Sequence, residues 1–125
     1  MINFKKLVLA ISLLALIACK EKAVNTVTDL SIAETKTLIS EQKTNADFVI
    51  LDVRTDDEYR AGHIEGALNI DIYQSNFEEL ISKLDNTKTY LVYCRSGNRS
   101  RQAISVMTSA GIAKIYHMKD GFSRW

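Results

Sequence analysis

A cysteine followed by two arginines and a glycine stands at the end of an apolar run in this chain. Cys94 comes directly after the β-favouring residues 89–93, and a helix-like pattern begins a few residues later. A thiol at such a junction is surrounded by backbone N–H groups and positive charge, which both favour the thiolate over the thiol. Because the thiolate is the nucleophilic form of cysteine, we predict that Cys94 is a catalytic nucleophile.

The residues that follow Cys94 suit a loop that binds an anion. They are Arg95, Ser96, Gly97, Asn98, Arg99 and Ser100. We expect the two arginines to attract a negatively charged substrate and the polar side chains to satisfy the loop's own hydrogen bonds. Gly97 allows the loop to curl, and a helix starting near Ser100 would direct its N-terminal amides toward a negatively charged sulfur.

The beginning of the chain has the pattern of an export signal. A short basic segment precedes a twelve-residue apolar stretch, residues 7–18, which is too short to span a bilayer as a helix. It ends in Leu-Ile-Ala before Cys19, which resembles the bacterial lipobox, in which the cysteine is lipidated after cleavage. We therefore predict a signal peptide over 1–18 and a membrane-anchored lipoprotein facing the periplasm or the cell surface. The alternative is a plain secretory signal with Cys19 near the cut.

Composition restricts the function classes. Removal of residues 1–18 leaves 107 of the 125 residues, which is enough for one domain with its own core. The mature chain then has 14 basic and 15 acidic residues, and this balance gives no support for nucleic-acid binding. With Cys19 lipidated, Cys94 has no partner for a disulfide. An unpaired cysteine among polar neighbours indicates a reactive thiol more than a buried apolar one.

Strands and helices alternate along the rest of the chain. We assign 19–30 to a polar tether and 31–125 to the folded domain. The pattern predicts strands at 48–51, 67–70, 90–93 and 115–118, helices at 56–61 and 100–110, and a final turn at 120–125. Two further helices begin at capping boxes, Ser31 with Glu34 and Ser75 with Glu78. This alternation predicts an α/β fold with a mostly parallel sheet covered on both faces.

Two polar clusters then share one edge of the sheet. Asp52 and Arg54 follow one predicted strand and Cys94 follows another, and parallel strands end at the same edge. Arg54 and Glu58 are four residues apart at the start of a short helix, a spacing at which the two side chains could pair. His63 and His117 belong to no motif, and we expect neither to act in catalysis.

Three segments in order resemble a known family. Residues 52–70, the loop 94–99 and residues 121–125 resemble the hallmarks of rhodanese-like domains, and the resemblance extends over 31–125. Asp71 and Asp120 depart from it, since proline and glycine are frequent at those positions. The resemblance implies a five-stranded parallel sheet flanked by helices.

The resemblance also implies sulfurtransferase chemistry. Cys94 would take a sulfane sulfur from a small anionic donor such as thiosulfate or a persulfide, hold it as a persulfide, and pass it to cyanide or a thiol. No metal and no organic cofactor is implied, because the cysteine carries the sulfur covalently. Asp52, Arg54 and Glu58 would brace the loop rather than react.

Two other functions stay open. Related cysteine phosphatases and arsenate reductases have five residues between cysteine and arginine, whereas here only residues 95–98 intervene. The shorter loop favours a sulfur atom over a tetrahedral phosphate. A non-catalytic binding module or a redox-sensing module is the second alternative. Inactive relatives usually lose the cysteine that this chain keeps, whereas a redox role uses a low-pKa thiol that is prone to sulfenic oxidation.

Overall fold

The computed structural model describes residues 24–125, so the predictions for the signal 1–18 and for Cys19 lie outside the described residues. The strands are β1 (Thr26–Leu30), β2 (Phe48–Asp52), β3 (Leu68–Asn69), β4 (Thr89–Tyr93) and β5 (Lys114–Met118). The helices are α1 (Ile32–Glu41), α2 (Asp56–Ala61), α3 (Phe77–Ser82) and α4 (Asn98–Ser109), before a 3-10 turn at Phe122–Arg124. Within this part of the chain, no helix combines the length and the apolar character needed to span a bilayer.

The five strands form one parallel sheet in the order β1-β5-β4-β2-β3, which confirms the predicted α/β fold. Helices α3 and α4 cover one face, and α1 and the C-terminal turn cover the other. Strand β4 lies in the middle, where Tyr90 and Val92 face one core and Leu91 and Tyr93 face the other. Its continuous apolar run follows from burial on both faces.

The prediction of a tether over 19–30 is wrong for its second half. Thr26–Leu30 forms β1, which pairs with β5 in register from Thr26 opposite Lys114 to Leu30 opposite Met118. The first four side chains of β1 are exposed, so the strand adds main-chain hydrogen bonds and almost no apolar pattern. A strand at a sheet edge with solvated side chains leaves little signal in the sequence.

One of the two predicted capping boxes is present. The Ser31 hydroxyl accepts a hydrogen bond from the Glu34 N–H, and the Glu34 carboxylate accepts one from the Ser31 N–H. The box at Ser75 is wrong, because α3 begins after Asn76 and has no side-chain cap. A turn in which the Phe77 N–H donates to the Gln74 carbonyl contains Ser75 instead.

Helix α4 begins two residues earlier than expected, at Asn98. The cysteine loop is therefore only Cys94 to Gly97, and Arg99 and Ser100 lie in the first turn of the helix. Gly97, which precedes the helix, has φ = +102°, a backbone conformation that favours glycine. The early start brings the N-terminal amides of a twelve-residue helix onto Cys94.

Candidate active site

The Cys94 side chain lies within the loop's hydrogen-bonding groups at the end of the central strand. The residue is 1% exposed. Its Sγ accepts a hydrogen bond from the Gly97 N–H, with 3.0 Å between sulfur and nitrogen. The Ser100 Oγ lies 3.2 Å from the same sulfur. The sulfur is thus surrounded by polar hydrogens although the residue contacts the apolar core.

These contacts shift the protonation of the thiol. Burial raises the pKa of Cys94, but hydrogen bonds from the Ser100 hydroxyl and from the backbone N–H groups of Ser100, Gly97 and Ser96 outweigh it. The net effect holds the pKa below its usual value. Because the backbone donors are fixed by the helix start, they favour the thiolate without rearrangement.

The C-terminal segment, residues 121–125, fixes the loop through backbone hydrogen bonds. The Phe122 N–H donates to the Cys94 carbonyl at 2.8 Å, and the Ser123 N–H donates to the Arg95 carbonyl at 3.0 Å. A Cβ atom at Gly121 would collide with the Arg95 carbonyl, and one at Gly97 would collide with the carbonyl of Lys119. The two backbones approach this closely only because both positions are glycine.

Arg99 is fixed by an acid from a different part of the chain. Its Nη1 and Nη2 donate to the Glu58 Oε1 and Oε2 at 2.6 and 2.9 Å, a two-pronged contact. The Arg99 hydrogen bonds are the main reason that the pKa of Glu58 falls to about 2, and Thr55 adds to the shift. Glu58 also completes the cap of α2 with Thr55. Helix α2 and the first turn of α4 are thereby joined beside the loop.

Asp52 and Arg54 form a second pair, which is sealed from solvent. The Arg54 Nη2 lies 2.7 Å from the Asp52 Oδ2 and 2.6 Å from the Gly62 carbonyl oxygen. The guanidinium also lies 4.3 Å from the centre of the Phe122 ring. The pairing of Arg54 with Glu58 that the spacing allowed does not form. Arg54 precedes α2, so the two do not share a helix face, and Asp52 takes the guanidinium instead.

The other loop side chains face solvent. Arg95, Ser96 and Asn98 are exposed, so Arg95 differs from Arg99 in being available to a dissolved anion. Tyr73 is 70% exposed, and its ring centre lies 5.9 Å from the Arg99 guanidinium. Nothing in the sequence pattern connected Tyr73 to the loop. These residues form the solvent side of the site.

The buried side of the site holds a set of contacts that no local sequence pattern indicated. The His117 Nε2 lies 2.6 Å from the Ser100 Oγ, and its Nδ1 lies 3.0 Å from the Asp29 Oδ1. Asp29 and His117 are register partners on β1 and β5, a signal that depends on recognising β1. His63, in contrast, stacks on Tyr59 with the ring centres 3.7 Å apart.

Comparison with known proteins places this geometry in a family. Residues 31–125 match the rhodanese-like domain family. The chain is 33% identical over 76 residues to YqhL of Bacillus subtilis, an uncharacterized protein, and the match covers 61% of this chain and 59% of YqhL. It is 34% identical over 77 residues to the thiosulfate sulfurtransferase GlpE of Pseudomonas fluorescens, covering 62% and 69% of the two chains.

A solved structure agrees with these matches. The rhodanese-related protein of Thermoplasma volcanium is 28% identical and superposes with a TM-score of 0.63, covering 78% of this chain and 89% of that one. The fold, the order of the three hallmark segments and the family match over most of the chain agree. The chain therefore belongs to the rhodanese-like domain family.

Proposed function

We propose that this protein is a sulfurtransferase that carries a sulfane sulfur on Cys94. The observation that carries the proposal is the position of the Cys94 Sγ, 3.0 Å from the Gly97 N–H and 3.2 Å from the Ser100 hydroxyl. These groups stabilise a negatively charged sulfur, and both the thiolate and the persulfide are such species. The name of the relative GlpE, a thiosulfate sulfurtransferase, supports the same reaction.

The reaction has two displacements at sulfur. The Cys94 thiolate attacks the outer sulfur of thiosulfate, the S–S bond of the donor breaks, and sulfite leaves with the electron pair. Cyanide or an acceptor thiolate then attacks the outer sulfur of the Cys94 persulfide. Thiocyanate or an acceptor persulfide leaves, and the Cys94 thiolate is restored. In each step the attacking group supplies one electron pair and the leaving group departs with one, so the two steps balance without an added oxidant or reductant.

The loop's charges divide between two tasks. Arg95 is exposed and can attract the dianionic donor and the departing sulfite. Arg99 is engaged with Glu58, so it supplies positive potential beside the sulfur while it holds the loop to α2. Asp52 and Arg54 brace the same edge from inside the fold.

The test is thiocyanate formation from thiosulfate and cyanide by the purified protein, with the Cys94→Ser variant as the control. We expect activity in the wild type alone, and a mass gain of one sulfur on Cys94 when only thiosulfate is added. Activity that survives in Cys94→Ser would exclude the mechanism. Hydrolysis of an aryl phosphate without any sulfur transfer would favour the phosphatase alternative.

We also propose that the protein is a lipoprotein exported to the periplasm or the cell surface and anchored through Cys19. The support is the sequence itself, a basic segment, a twelve-residue apolar stretch and a lipobox-like ending. Several acyl chains on one residue are sufficient for stable anchoring. Cys19→Ser should leave the membrane fraction and lose fatty-acid labelling. A wild-type protein that takes up no label would refute this proposal and leave the sulfurtransferase proposal untouched.

A further inference from the structure

An unbroken chain of hydrogen bonds leads from the Cys94 sulfur to β1, the outermost strand on one side of the sheet. The distances are 3.2 Å from the Cys94 Sγ to the Ser100 Oγ, 2.6 Å from that oxygen to the His117 Nε2, and 3.0 Å from the His117 Nδ1 to the Asp29 Oδ1. Cys94, Ser100 and His117 are each 1% exposed or less, whereas the side chain of Asp29 is 47% exposed. This series of hydrogen bonds therefore connects a buried thiol to a carboxylate in contact with water.

The number of hydrogens restricts how these groups can share protons. A carboxylate only accepts, so the His117 Nδ1 carries a hydrogen that it donates to Asp29. The Ser100 hydroxyl has a single hydrogen. When His117 is neutral, that hydrogen points to Nε2, and the thiol hydrogen of Cys94 can point to the Ser100 oxygen. When His117 is an imidazolium, Nε2–H donates to Ser100 and the hydroxyl donates to the Cys94 thiolate.

We propose that His117, held by Asp29, accepts the thiol proton of Cys94 through Ser100. The S–H bond breaks as its hydrogen passes to the Ser100 oxygen, and the former hydroxyl hydrogen of Ser100 passes to the His117 Nε2. A neutral thiol and a neutral imidazole thus become a thiolate and an imidazolium, and no charge is lost. The proposal deepens the sulfurtransferase proposal, because the thiolate is the species that begins sulfur transfer. His117 acts through Ser100 and is a positioning residue that does not touch the reacting sulfur.

The surroundings of His117 favour its neutral form, which is the form that can accept a proton. Asp29 faces it from β1, Ser100 and the charge of Arg101 approach it from α4, and the apolar Val92 lies opposite on β4. Burial is the main reason that the pKa of His117 lies below its usual value, and Arg101 adds to the effect while Asp29 opposes it. Burial therefore favours the neutral ring beside the thiol, and a thiolate in place of the thiol would favour the imidazolium.

One other acceptor competes for the serine hydrogen. The Gly97 carbonyl oxygen lies 2.9 Å from the Ser100 Oγ. The contact with His117 is shorter, at 2.6 Å, and a hydroxyl rotates easily between acceptors. The relay requires only that the hydroxyl reaches the histidine and the sulfur in turn.

The first experiment measures the ionisation of Cys94 without any sulfur donor. The thiolate absorbance near 240 nm is followed against pH in the full chain, and the curve of Cys94→Ser is subtracted to remove Cys19 and the tyrosines. His117→Gln should raise the pKa of Cys94 by about one unit, which is about tenfold less thiolate at a given pH below it. Asp29→Asn should raise it by less. The matched control His63→Gln changes the other histidine of the chain and should leave the pKa unchanged.

The second experiment measures the same coupling through the pKa of His117. Linkage requires that if His117 stabilises the Cys94 thiolate, the thiolate stabilises the His117 imidazolium equally. NMR titration of the histidine rings should therefore show a lower pKa for His117 in Cys94→Ser than in the wild type, with His63 unchanged as the internal reference. Equal His117 values in the two proteins would overturn the relay, as would an unshifted Cys94 in a folded His117→Gln. If His117→Gln does not fold, the Cys94→Ser titration decides alone, and neither readout requires sulfurtransferase activity.

Discussion

Two acid–arginine pairs lie near the same edge of the sheet, and their surroundings differ. The side chains of Asp52 and Arg54 are 0% and 5% exposed, whereas those of Glu58 and Arg99 are 30% and 18% exposed. The first pair also binds a carbonyl of the α2–β3 connection and lies under an aromatic ring. The second pair joins two helix starts beside the cysteine loop. The same ion-pair chemistry therefore acts as a structural tie where it is sealed from solvent and as a support for the loop where it is partly exposed.

The largest expected effect comes from the sealed pair. Arg54→Met leaves the fully buried Asp52 carboxylate without its partner, and breaking one side of a buried pair costs about 3–5 kcal/mol. The free energy of unfolding from urea titration measures this. The control is Arg60→Met, which breaks the exposed Arg60–Asp56 pair and should cost about 0–1 kcal/mol. Equal losses in the two variants would show that burial does not separate the pairs.

A smaller loss of stability and a larger loss of activity are expected from the open pair. Glu58→Gln replaces a charged two-pronged contact with a neutral amide, which should cost about 1.5–3 kcal/mol of folding stability. Because the Arg99 guanidinium is then free to move away from its position beside the loop, kcat/KM for thiosulfate should fall about tenfold, or ~1.4 kcal/mol in the transition state. Thiocyanate assays on folded protein measure this, and an unchanged kcat/KM would remove the loop-support role.

The same variant tests the pH dependence of the open pair. The pKa of Glu58 lies at about 2 in the folded protein against 4.5 for the ordinary group, mainly because Arg99 donates to the carboxylate. A lowered folded pKa gives stabilisation that is complete above about pH 4.5 and is lost as the pH falls toward about 2. The stability difference between wild type and Glu58→Gln should therefore be constant from pH 5 to 7 and shrink below it. A difference independent of pH would show that the carboxylate charge is not what matters.

The fold was predictable from the sequence where its signals are local. The capping box at Ser31, the buried run of β4 and the helix 56–61 before Gly62 each depend on residues within a few positions of one another. Strand β1 was missed because the first four of its five side chains are exposed and give no apolar pattern in the sequence. The start of α4 was placed two residues late because the polar residues of its first turn have the composition of a loop.

The position of Cys94 beside a helix start was predictable for the same local reason, whereas the distant contacts around it were not. The chain order Cys94 to Ser100 already contains the loop and the helix start that surround the sulfur. The Glu58–Arg99 pair joins residues 41 positions apart, and the Asp29–His117 contact joins residues 88 apart. Such contacts are set by which strands become neighbours. The local rule that pairs residues four apart on a helix therefore pointed Arg54 to the wrong acid.

The smallest expected effect concerns Arg95, the loop arginine that belongs to neither pair. Arg95 is exposed, so Arg95→Gln should change folding stability by less than about 0.5 kcal/mol. Its charge attracts the dianionic donor through solvent, an interaction of about 1 kcal/mol, so KM for thiosulfate should rise about fivefold with little change in kcat. Lys43→Gln is the matched control. It removes an exposed charge between α1 and β2, on the side of the sheet where the strands begin, away from the cysteine loop. The KM difference should shrink at about 1 M salt, where screening is strong. A salt-independent rise in KM would mean that Arg95 binds the donor by direct contact and not by its long-range field.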